Sequence, residues 1–185
     1  SVLANQGSVD EAIGAYDAVL RMNPRNVLSA NNLAALLADF KADAPHLERA
    51  FLLSRDFEKE APHPLFLDTL GWVRLKMGHL DDAVRLMRQA IAKAPDLPML
   101  NYHLGAALYQ SGRNIEAKVY LAKALKSTEA FQGRREAERL LAQHIGERFT
   151  GQQAGNVGRV AAEFERPGRL RLARDALCRR ESEAG

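Results

Sequence analysis

Residues 67–95 read LDTLGWVRLKMGHLDDAVRLMRQAIAKAP, two helical patterns with Gly78 between them and Pro95 at the end. Their opening, LDTLGW at 67–72, holds one carboxylate, Asp68, in a stretch that is otherwise apolar apart from Thr69 and Gly71, and the chain's only tryptophan, Trp72, follows one helical turn later. That placement suits either an acid beside an aromatic wall or an element of architecture. Repetition elsewhere in the chain separates the two.

The second half of the stretch, DDAVRLMRQAIAKAP at 81–95, lines up with DEAIGAYDAVLRMNP at 10–24, with IEAKVYLAKAL at 115–125 and, more weakly, with LERAFLLSRDFEKEAP at 47–62. The first half lines up with SANNLAALLADF at 29–40 and NYHLGAALYQSG at 101–112. Each has a leucine followed by a small residue, at Leu33-Ala34, Leu70-Gly71 and Leu104-Gly105. Two amphipathic helices per unit, a glycine between, a proline after and a period near 34 residues make a helical repeat. Where antiparallel helices cross closely only a small side chain fits, so Gly71 and Gly105 are expected against Ala83 and Ala117. Gly7, Gly78 and Gly112 are expected to end first helices in the left-handed C-cap conformation. Pro24, Pro62 and Pro95 are expected to close second helices, and Ser8 with Glu11 has capping-box spacing.

With these residues the chain resembles the tetratricopeptide repeat (TPR) family over residues 1 to about 146. The fold implied is all-α: a right-handed superhelical solenoid of helix-turn-helix repeats with a C-terminal capping helix. A partial repeat occupies 1–26, repeats follow at about 27–63, 64–97 and 98–130, and the capping helix lies at about 131–145. Three departures are expected. FKADAPHL, at 40–47, should join its helices by a loop about four residues longer than usual, and Phe57 stands where a small residue is common. The fourth repeat closes at Thr128-Glu129 without a proline, so the chain should run with little interruption into the next helix. The first repeat lacks most of its first helix, which suggests the end portion of a longer array. The absence of an initial methionine or secretory signal likewise suggests a fragment or mature form. The terminal helix, FQGRREAERLLAQHI, places Ala137, Leu140, Leu141 and Ile145 on one side to cover the last repeat. Residues 147–185 form an arginine-rich tail in which all eight basic residues are arginine. Leu170, Ala173 and Leu177 could line a short helix there, or the tail could be disordered.

Composition bounds the chemistry. At 185 residues, 46% hydrophobic and a net charge of +3, the chain lacks the basic excess of a nucleic-acid binder and any apolar run long enough for an integral membrane segment. Cys178 is the only cysteine, too few for a disulfide or a cysteine zinc site. The five histidines, His46, His63, His79, His103 and His144, do not share metal-ligand spacing, so no metal or cofactor is expected. No phosphate loop or nucleophile elbow is present, and no catalytic residue is assigned. Asp68 and His103, at similar heights on consecutive first helices, are the only acid and base that the repeat brings near each other.

What the resemblance implies is a non-enzymatic scaffold that binds a protein or peptide in a concave groove lined by first helices. By place in the repeat the groove residues are Leu28, Asn31, Asn32 and Ala35, then Leu65, Asp68, Trp72 and Leu75, then Met99, Tyr102, His103, Ala106 and Tyr109. Aromatic side chains offer rigid apolar contact area and asparagines can clamp a peptide backbone. Asp68 in the middle disfavours a C-terminal carboxylate, so a neutral or basic segment is the expected ligand. Two alternatives stand beside this: the TPR portion of a larger enzyme such as a glycosyltransferase or sulfotransferase, and a homo-oligomer formed through the incomplete first repeat. The wording is also loosely similar to bacterial envelope-associated TPR proteins and lipoproteins, which leaves cytoplasm and cell envelope both open.

Overall fold

The computed structural model describes residues 2–146, with side chains described from 7 to 143. The tail, its expected helix and Cys178 lie outside the described residues. Nine α-helices and no strand occur among the described residues: α1 Val2–Met22, α2 Val27–Phe40, α3 Ala44–Ser54, α4 Phe57–Glu60, α5 Pro64–Lys76, α6 Leu80–Lys93, α7 Pro98–Gln110, α8 Asn114–Lys126 and α9 Arg134–Gly146. Helices pair in chain order, α2 with α3, α5 with α6 and α7 with α8, and the first helices α2, α5 and α7 lie side by side. This is the architecture of a helical-repeat solenoid.

Burial explains why the two kinds of helix read differently. The second helix α6 buries Ala83, Val84, Leu86, Met87 and Ala90 at helical spacing and turns its charges outward. The first helix α5 is flanked on both sides and buries every residue from 67 to 73 together with Leu75. A glycine inside a helix costs roughly 1 kcal/mol relative to alanine, so Gly71 and Gly105 need a packing reason. A Cβ on Gly71 would lie 2.9 Å from Met87 Cγ and 3.3 Å from the Ala83 carbonyl oxygen. One on Gly105 would meet Leu121 first, at 2.8 Å from Cγ and 3.1 Å from the backbone nitrogen. Gly78 (φ 84°) and Gly112 (φ 72°) end α5 and α7. His79 N–H donates to the Arg74 carbonyl and Arg113 N–H to that of Leu108, which satisfies orphaned carbonyls at both helix ends.

The structure corrects four expectations. Gly7 does not end a helix, nor do Ser8 and Glu11 begin one: α1 runs unbroken from Val2 to Met22. The expected long loop in the second repeat is only residues 41–43, as short as the turns after α5 and α7. Its extra residues extend α2 and start α3 early, because the Asp43 carboxylate caps the His46 N–H at 3.1 Å and Pro45 is tolerated in a first turn. The second helix of that repeat is split at Arg55-Asp56, where Phe57 turns inward to bury itself against Phe66, ring centroids 5.3 Å apart. Finally, α8 does not run on into the next helix, and α9 begins at Arg134 rather than near 131. Residues 127–133 form an irregular connection closed by Gly133 at φ 92°.

Candidate peptide-binding face

Equivalent positions on α2, α5 and α7 line one face in rows. The second residue of each helix is Leu28, Leu65 or Met99, and these are 62%, 39% and 37% exposed. Three residues further along stand Asn31, Asp68 and Tyr102, all buried, followed by half-buried Asn32 and buried His103. Trp72 lies one turn beyond Asp68 and is only 7% exposed. Ala35 and Tyr109 are half-buried, whereas Leu75 and Ala106 belong to the core.

The buried members are tied together. His103 Nδ1 is 2.7 Å from Asp68 Oδ2, which joins α5 to α7. The Trp72 indole stacks on the His103 ring, centroids 4.0 Å apart and planes within 19°, and Tyr102 completes the cluster at 5.8 Å from Trp72. Trp72 Nε1–H donates to Asp39 Oδ1 at 2.7 Å, which adds α2. Lys76 Nζ sits 4.7 Å above the same indole, near enough for a cation–π attraction. At the other end, Asn31 donates to Asn32 Oδ1 at 3.3 Å, and Asn32 Nδ2 donates to the Tyr16 hydroxyl at 3.1 Å.

Two acceptors, Asn31 Oδ1 and Asp68 Oδ1, are buried with no hydrogen-bond partner among the described residues. Leaving a polar atom in that state costs about 1–3 kcal/mol. The face therefore presents an apolar rim, with these acceptors and the Trp72, Tyr102 and His103 rings buried beneath it. Among the described residues no group of three histidines, cysteines or acids is placed to hold a metal ion, and no helix is long and apolar enough to cross a membrane.

The residues that repeat position does not reveal are Asp39, Phe131, Gln132 and Gly133. Gln132 Nε2 donates to Asp39 Oδ2 at 3.0 Å, and the Phe131 and Tyr102 rings are 6.1 Å apart. A Cβ on Gly133 would lie 2.1 Å from Tyr102 Cε1. The connection after α8 thus lies over part of the face.

The TPR family profile matches residues 1–44 and 69–132, more than half of the chain and including α1, α2 and most of α5 through α8. This chain is a member of the tetratricopeptide repeat family. A TPR repeat-containing protein of Pseudomonas aeruginosa is 32% identical over 78 residues, which is 42% of this chain but 13% of that relative's length. Two solved TPR-type structures share the fold. The crystal structure of MamA superposes with TM-score 0.59 at 19% identity over 86% of this chain and 90% of its own. A thermophilic TPR protein of Thermus thermophilus superposes with TM-score 0.60 at 22% identity over 75% and 76%. The TPR fold is that of a protein–protein interaction scaffold.

Burial, reinforced by the charges of Glu136 and Asp39, pushes the Tyr102 hydroxyl up to about 12. Its unfolded value is near 10, so the stabilisation is fully present below about pH 10 and is lost as pH rises through about 12. Ultraviolet phenolate titration of the wild type should show a step near pH ~12 that coincides with loss of helical circular dichroism. Tyr102→Phe should diminish that step, the remainder belonging to Tyr120, which burial also raises, and an unchanged titration would contradict the assignment.

Proposed function

We propose that this TPR array is a non-enzymatic scaffold that binds an extended, neutral or basic peptide segment along the face shared by α2, α5 and α7. The observation that carries this reading is the row of exposed apolar side chains Leu28, Leu65 and Met99 at one register of three adjacent first helices. Scattered exposed apolar residues are ordinary, but a row repeated at helix spacing gives an extended ligand successive contacts. Beneath the row, the buried Asn31 Oδ1 and Asp68 carboxylate oxygens give the face a negative bias, which favours ligands rich in N–H donors or positive charge. A ligand carboxylate brings neither donor nor compatible charge. Asn32 and Tyr109 extend the contact surface, while Trp72, Tyr102 and His103 act from beneath by fixing the three helices in register.

The test is selection from a random-peptide display library on the purified chain. Selected peptides should be neutral or basic, and the Leu65→Gln/Met99→Gln double variant should bind them at least about tenfold more weakly, with its helical circular dichroism intact. Equal affinity for the double variant, or selection of peptides dominated by acidic residues, would overturn the reading.

A further inference from the structure

We infer that the concave face carries a second peptide subsite, centred on Asp39, Trp72 and Tyr102, which residues 131–133 of the chain fill as a tethered occupant. A peptide presenting an aromatic ring, a side-chain amide and a glycine in succession takes the same place. This subsite goes beyond the rim described above and uses different residues.

Three contacts define its chemistry. The ring of Phe131 packs toward Tyr102 at 6.1 Å, the Gln132 amide donates to Asp39 at 3.0 Å, and Gly133 lies against the Tyr102 ring with no room for a Cβ. Its φ of 92° is also a conformation that favours glycine. Arg134 follows, with its guanidinium 5.6 Å from the Phe131 ring centroid and donating to the Ser127 and Leu125 carbonyls. The receiving side is held independently of the segment: Asp39 by the Trp72 indole, Trp72 by His103, and His103 by Asp68. The next helix also has packing of its own, since α9 buries Ala137 and Leu140. Gln132 is exposed apart from its one bond. Lifting residues 131–133 therefore leaves the floor in place and costs the two bonds that tie the segment to the first turn of α9, Arg134 N–H to the Phe131 carbonyl at 3.3 Å and Ala137 N–H to that of Gly133 at 2.8 Å.

A segment joined at both ends is presented at an effective concentration in the millimolar range. A free peptide meets the wild-type subsite already filled, and its apparent affinity falls by the fraction of time the subsite is open. The chain's single tryptophan lies in the subsite and reports on its occupancy.

The probe is a synthetic peptide of residues 128–135, TEAFQGRR, acetylated and amidated, titrated into the full chain while Trp72 emission is followed. The hosts are wild type, Gly133→Ala, and Phe131→Ala/Gln132→Ala. The last removes the contacts without backbone strain and decides the outcome if Gly133→Ala loses helical signal. The peptide should bind the opened variants at least about tenfold more tightly than wild type. A peptide with valine in place of its glycine should bind none of them. Equal binding to all hosts, or binding to none, would overturn the proposal. Leu65→Gln/Met99→Gln should leave this peptide's affinity unchanged, which separates failure of the subsite from failure of the rim.

Discussion

Trp72→Ala is expected to lower the free energy of unfolding by about 3–5 kcal/mol, the range for deleting a large buried aromatic side chain. The indole touches three first helices at once: it belongs to α5, stacks on His103 and neighbours Tyr102 of α7, and donates to Asp39 of α2. Its removal leaves a cavity between neighbours that a repeat array cannot close from afar, because each repeat is held only by those beside it. Trp72→Phe keeps most of the stacking area but leaves Asp39 without the indole N–H, and should cost only about 1–2 kcal/mol. Urea unfolding followed by far-ultraviolet circular dichroism measures both. A Trp72→Ala value no larger than that of Trp72→Phe would mean that the hydrogen bond, not the packed ring, joins the helices.

Two glycines that look equivalent in the sequence should behave differently. Gly105→Ala is expected to destabilise by about 1–3 kcal/mol, as overpacking does. For a chain of this size that corresponds to a fall of roughly 2–4 °C in Tm for each kcal/mol. Its new methyl group meets Leu121 at Cγ, Cδ2 and the backbone nitrogen together, and the backbone atom cannot step aside. Gly71→Ala meets the unbranched side chain of Met87 first, and methionine adapts by rotating. The helix gains roughly 1 kcal/mol from losing a glycine, which offsets part of the clash with Met87 Cγ and the Ala83 carbonyl oxygen, so Gly71→Ala should cost less than Gly105→Ala. Thermal melts of the two variants side by side would settle it. Equal losses would show that helix separation, rather than the identity of the facing side chain, governs both crossings.

The repeat was legible where local chemistry and packing agree. Gly78 and Gly112 are where helices need a left-handed residue, and Ala83, Ala117 and Ala124 are buried where second helices approach their partners. The misread places are those where a local signal has more than one use. Asp43 and Pro45 occur in loops and in first turns alike, and only the cap to His46 decides for the helix. Gly7 lies inside α1, because a glycine permits a left-handed turn without requiring one. Phe57 signalled an irregularity without saying that the helix would break to bury it. On the face itself, repeat position puts Asp68 level with Tyr102 and near His103, yet not the exposure of these residues. Exposure depends on stacking between helices and on residues 131–133, whose bond to Asp39 joins positions 93 residues apart. No pattern within a 34-residue period encodes a contact of that span.

That bond has a consequence for how the array comes apart. A linear stack of repeats frays from either end, one unit at a time, because no contact reaches past the adjacent unit. Here the bridge from Gln132 to Asp39 ties the segment after the last repeat to α2, so the intervening helices form a closed loop fastened by a clasp. Opening α7 and α8 first requires the clasp to be undone. While residues 131–133 are seated, amide protons near the C-terminal end of the array should therefore exchange more slowly in the wild type than in Phe131→Ala/Gln132→Ala.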